Sequence, residues 1–126
     1  MKKLFLLFVI CSLFSTLRSQ SVNNIPLREI QAEYVEMTVI PKAFSSKKNI
    51  LIDYGQVTGF SLAPKEAALR DSDGKYIDFA SPMEALNFIA KNGFELITAF
   101  SPPTENSTWR IYLLRNKNFK ARAVGE

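Results

Sequence analysis

The stretch Ser81-Pro82-Met83-Glu84-Ala85-Leu86-Asn87-Phe88-Ile89-Ala90-Lys91-Asn92-Gly93-Phe94-Glu95-Leu96 holds a helix with both of its end signals and runs straight into a strand. Ser81 is a capping residue, Pro82 suits the first helical position, and Glu84 stands three residues after the cap, which together make a capping box. Ala85, Leu86, Ile89 and Ala90 recur at three- and four-residue spacing on one face. Gly93 supplies a left-handed stop, and Phe94 can fold back onto the last turn. The spacing predicts a helix from Pro82 to Asn92, followed by a strand from Phe94 to Phe100 that Pro102 and Pro103 bring to an end.

On the C-terminal side, Trp109 to Arg115 reads as a closing strand, with Ser101 to Thr108 as the polar tip between the two. On the N-terminal side, Ala67–Arg70 and Lys75–Phe79 flank Asp71-Ser72-Asp73-Gly74, a hairpin-turn signal. Ile50 to Tyr54 reads as a strand closed by Gly55, and Glu29 to Ile40 as a strand ended by Pro41. Gln56 to Glu66 reads as a loop, and Gln20 to Pro26 as loose and polar. Strands before a single helix and a hairpin after it predict an α+β fold: an antiparallel sheet of four to six strands with one helix packed on one face.

The C-terminal half resembles a small, mainly bacterial domain-of-unknown-function family. The resemblance rests on Glu33-Tyr34 in an opening strand, Leu86-Asn87 in the helix, Gly93-Phe94-Glu95-Leu96, and Tyr112-Leu113-Leu114-Arg115 at the close. Phe94 stands where the family has Trp, and residues 42–81 exceed the family's compact form. The resemblance implies a fold and no activity. The same residues also have a packing role: Gly93 stops a helix, Phe94 staples it and Leu96 enters the core.

The N-terminus has the layout of a secretory signal: Lys2 and Lys3, an apolar run from Leu4 to Phe14, then Ser15, Thr16, Arg18 and Ser19. The run is shorter than the roughly 20 residues that span a bilayer. The expected organisation is a signal peptide over residues 1–19, one domain over 20–115 and a flexible basic tail over 116–126. Cys11 lies inside the apolar run after Ile10, where lipidation would want a small residue, so it is expected to leave with the signal. The exported chain would then be cysteine-free, periplasmic or extracellular, and held together by its core alone. Lys2, Lys3 and Arg18 leave as well, reducing 16 basic residues to 13 against 12 acidic ones, a net charge of +1. That balance argues against nucleic-acid binding. The run Arg115, Lys117, Lys120 and Arg122 is read as a solvated strand end or a contact with an anionic surface.

The chain has no histidine, which removes Ser-His-Asp and Cys-His nucleophile systems along with His-based zinc sites. In the acidic turn Gly74 falls at position four and Pro82 at position twelve, where a calcium loop wants glycine at six and glutamate at twelve. No metal or cofactor is expected. Asp53, Asp78, Glu84 and Glu95 are the carboxylates from which a small glycan hydrolase would have to draw its two acids. Asn106-Ser107-Thr108 fits a glycosylation sequon or a polar hairpin tip.

One feature points to a binding role. A helix of about eleven residues is roughly 16 Å long and shields one sheet face, yet the strands carry apolar residues at both parities. Either the chain's own loops cover the second face, or a partner does: a second copy in a homo-oligomer, another exported protein or an apolar ligand. With Phe94 placed inward, Val35, Ile97, Tyr112 and Leu114 become the residues expected on that second face, and a charge at Leu114 is expected to abolish association without unfolding the monomer. The functional expectation is an exported, non-enzymatic binding or assembly module; the alternative is the carboxylate hydrolase.

Overall fold

The computed structural model describes residues 19–59, 64–103 and 109–121. Residues 1–18, which hold Cys11 and all but the last residue of the expected signal peptide, the Asn106-Ser107-Thr108 tripeptide and Arg122 lie outside them.

Apolar alternation builds the main sheet. β3 (Tyr34–Pro41) buries Val35, Met37 and Val39, and β4 (Lys48–Asp53) buries Ile50 and Ile52. Two later strands, β6 (Phe94–Phe100) and β7 (Arg110–Asn116), complete an antiparallel sheet in the order β4-β3-β7-β6. In this register Val35 faces Leu114 and Met37 faces Tyr112, so the buried residues share one side. β7, the most C-terminal of these strands, lies between β3 and β6.

The helix α1 (Pro82–Lys91) closes the core on that side through Ala85 and Ile89. Its sequence signals all act. Ser81 Oγ accepts the Glu84 N–H at 3.1 Å, while the Glu84 carboxylate accepts the Ala80 N–H. Gly93 adopts φ +94° and closes the last turn by donating its N–H to Ala90 O at 3.1 Å. The positive φ selects glycine here; a Cβ would also displace the exposed Asn118 side chain, whose Nδ2 would lie 2.4 Å away.

A second, three-stranded sheet was not foreseen. β1 (Ser21–Val22) pairs with β2 (Ile25–Pro26) and with β5 (Leu69–Arg70). The expected loose start is a tight hairpin, because Asn23 and Asn24 both take positive φ, at 51° and 63°. Those are the angles that a two-residue turn joining twisted strands demands, and asparagine tolerates them. The hairpin sends Val22 into the core with Leu27 and Ile30, Leu69 and Phe79. Phe79 packs edge-on against Phe88 of the helix, with ring centroids 5.4 Å apart.

The strand expected from Glu29 begins only at Tyr34, after a 3-10 turn over Leu27–Glu29. The carbonyls of Ile30 and Ala32 are used differently: both accept from the buried Asn116 side chain, at 2.9 and 3.0 Å. Asn116 also donates its backbone N–H to Glu33 O at 2.7 Å, and its Oδ1 accepts the Asn118 N–H. The segment expected to be a loose tail from residue 116 is therefore tied down at its start, and Lys117 N–H reaches Gly93 O at 2.8 Å.

Candidate interaction surface

The outward side of the sheet resolves into cross-strand rows. In the first row β3, β7 and β6 present Tyr34, Arg115 and Glu95. In the second, β4 to β6 present Asp53, Glu36, Leu113 and Thr98; in the third, Leu51, Thr38, Ile111 and Phe100. Cross-strand neighbours of this kind interact directly. The charged side chains gather toward one end and toward β4, while Leu113, Ile111 and Phe100 form an apolar corner beside β6. Leu113, Ile111 and Leu51 are half-buried, and Phe100 is 44% exposed. Among the described residues no helix or strand packs across these rows; α1, β1 and β5 all join the core on the opposite side.

The residues expected on this face sit elsewhere. Val35, Tyr112 and Leu114 are buried in the core that contains Ala85 and Ile89 of the helix, with Leu114 0% exposed. Phe94 does point inward as assumed, but it faces Asn116, which puts Leu114 opposite Leu96 on the same inner side. The parity of one strand transfers to the next only through register, and no residue pattern within β7 distinguishes Leu113 from Leu114. Ile97 is 48% exposed at the irregularity between Leu96 and Thr98, where one extra residue on β6 shifts its side assignment. A charge at Leu114 would therefore enter the core rather than a docking face.

The two edges of the sheet also differ. Along β4, Lys48 bridges Phe79 and Leu51 bridges Ala68, with Ile52 N–H donating to Ala67 O at 2.7 Å. Gln56 stitches this edge further, its Nε2 donating to Ile52 O and Glu66 O at 2.8 and 3.1 Å. Along β6, every residue from Glu95 to Phe100 is exposed, and no described strand pairs beyond it.

Of the four carboxylates named for a hydrolase, Asp53, Asp78 and Glu84 make structural hydrogen bonds and Glu95 is exposed on β6. Asp71 Oδ1 accepts the N–H groups of Asp73 and Lys75 at 2.8 and 3.0 Å and holds the acidic turn. Asp53 Oδ1 accepts the Gly55 N–H at 2.8 Å. Asp78 binds Lys42 Nζ at 2.7 Å and accepts from Asn49 Nδ2 at 2.8 Å. The hydrogen bond from Lys42, and then that from Asn49, hold the Asp78 carboxyl below its ordinary pKa of 3.8. A glycosidase acid needs the opposite shift. Glu84 lines a shallow concavity with Phe79, Met83 and Phe88 and is the one acid there among the described residues. A larger hollow of about 570 Å³ beside Leu27 and Asn92 holds Glu29 alone of the acids.

Of the basic run, Arg115 stacks over the Tyr34 ring, 5.5 Å from its centroid, and Nη2 donates to the Tyr34 hydroxyl at 2.9 Å. That hydrogen bond raises the arginine pKa further. Lys117 and Lys120 are exposed.

No known protein family, curated protein or solved structure matches this chain. Among the described residues no helix is long and apolar enough to cross a membrane. Two residues of the outward rows, Ile111 and Leu113, were missed in the sequence because they alternate with equally apolar neighbours.

Proposed function

We propose that this chain is an exported, non-enzymatic binding or assembly module whose working surface is the outward side of the four-stranded sheet. The observation that supports it is the apolar corner of Leu113, Ile111 and Phe100 beside Thr98, left outside the core by a chain that covers the opposite side with a helix, a hairpin and the Leu69–Phe79 segment. A sheet side meant for water alone would alternate to polar residues there, and exposed apolar surface of this kind marks contact with a partner. The signal-like N-terminus supports an encounter in the periplasm or outside the cell, and a second copy or another exported protein is the proposed partner.

The test is Leu113→Lys together with Ile111→Lys, both half-buried positions where a lysine stem can reach water. Association, read as molar mass by light scattering and as co-purifying protein after export, should be lost while the circular-dichroism melt stays cooperative. Association at the unmodified level in both variants would remove the surface from consideration.

A further inference from the structure

We infer that β6 is a self-pairing seam, through which two copies of this chain join their sheets edge to edge in antiparallel fashion. The inference goes beyond the reading of the outward side as the working surface: the second copy occupies the β6 edge and extends that side without covering it.

Three observations carry it. First, the two sheet edges are treated unequally: β4 is bridged by the chain's own backbone at Ala68 and Phe79, while β6 exposes Glu95 through Phe100. Exposed edges are normally blunted by lysine, proline or inward charge. Between Leu96 and Phe100 there is no charge and no proline. The blunting devices lie at the limits of the segment instead, with the bulge at Leu96/Thr98 on one side and Pro102-Pro103 on the other. They confine pairing to the stretch around Ala99.

Second, that stretch is self-complementary about a two-fold axis at Ala99. Ala99 would meet Ala99 of the second copy, and Thr98 would meet Phe100. Thr98 and Phe100 already share the outward side, since they face Leu113 and Ile111, while Ala99 faces Tyr112 on the inward side. Side parity is therefore conserved across the seam, as any sheet continuation requires. Glu95, the one charged residue of β6, falls beyond the paired stretch, so no like charges are set opposite each other.

Third, the rows join. Leu51-Thr38-Ile111-Phe100 of one copy continues into Thr98-Leu113-Glu36-Asp53 of the other, and the two-fold axis generates the second such row. The apolar corners of both copies fuse at the centre, and the acidic residues lie at the two far ends. A partner without this symmetry would have to match an uncharged, three-residue edge by coincidence; a second copy matches it by construction.

The experiment uses protein expressed from the full 126-residue sequence. Ala99→Lys adds an edge charge at an exposed position and should halve the molar mass seen by light scattering, with the melt unchanged. Ala99→Cys places two thiols on the axis, where directly opposed Cα atoms lie about 4.5–5.5 Å apart, within the span of a disulfide. With oxidised glutathione as the electron acceptor it should cross-link to dimer at least tenfold faster than Asp53→Cys at the far side of the sheet, with the unmodified chain as the control for Cys11. A dimer that survives Ala99→Lys, with Ala99→Cys no faster than Asp53→Cys, would overturn the seam and leave the outward face as the interface. A monomer at every concentration, with no preferential cross-link, would overturn the seam too, and the outward face would then stand or fall on the Leu113 and Ile111 variants.

Discussion

Leu113 and Leu114 are identical residues side by side on one strand, and they belong to different environments. Leu114 lies in the core opposite Val35, while Leu113 lies opposite Glu36 and Thr98 on the outward side. Across from Leu114 on β6, Leu96 is left 44% exposed at the sheet edge rather than entering the core as expected. The same division runs across the sheet. The inward side is sealed by the helix, the Asn23-Asn24 hairpin and Asn116; the outward side is apolar toward β6 and acidic toward β4. The contrast teaches that an apolar residue in a strand says what it avoids, while pairing decides where it goes.

The sharpest way to break this contrast is a matched pair of charges. Leu114→Asp should cost more than about 4 kcal/mol, enough to unfold a domain of ordinary marginal stability. Leu113→Asp should stay within about 1 kcal/mol in urea denaturation. Equal losses would mean that both sides are core.

A smaller effect probes how the inward side is closed. Asn116→Ala removes the donor that serves the Ile30 and Ala32 carbonyls, and leaving such groups unpaired should cost about 2–4 kcal/mol. Hydrogen exchange should show the loss first in residues 30–35. The helix caps come next. Ser81→Ala should cost about 1 kcal/mol, and Gly93→Ala about 1–3 kcal/mol from its positive φ, both by urea midpoint.

The smallest effect belongs to the exposed Lys42–Asp78 pair. Because the Asp78 pKa is lowered in the fold, its contribution is present above about pH 4 and is lost as the pH falls through the lowered value. Lys42→Met should flatten the acid limb of the stability–pH curve and leave stability at pH 7 nearly unchanged.

Much of the architecture was readable in the residues. The helix and β6 were legible because their signals are local: a serine cap, a glycine stop and apolar spacing within sixteen residues. The α+β class followed from element order. Three things escaped. The first hairpin was missed because Asn23-Asn24 was read as polar and loose, although Val22 and Ile25 flank it. The side assignment failed for Val35, Tyr112 and Leu114 because register between strands about 80 residues apart in sequence leaves no mark within either strand. Asn116 looked like the start of a tail, since an asparagine that satisfies two distant carbonyls cannot be told from one in solvent until the fold brings them together.

The place of β7 in the middle of the sheet has a consequence for how the molecule is made. Residues 110–116 leave the ribosome after every other described strand, yet they are the plank on which both halves of the sheet rest. Until they arrive, the β3–β4 ribbon and the helix–β6 unit have no common partner, and the carbonyls at residues 30 and 32 have no clamp. A nascent chain lacking those seven residues cannot complete the four-stranded sheet, whose two halves meet only through β7.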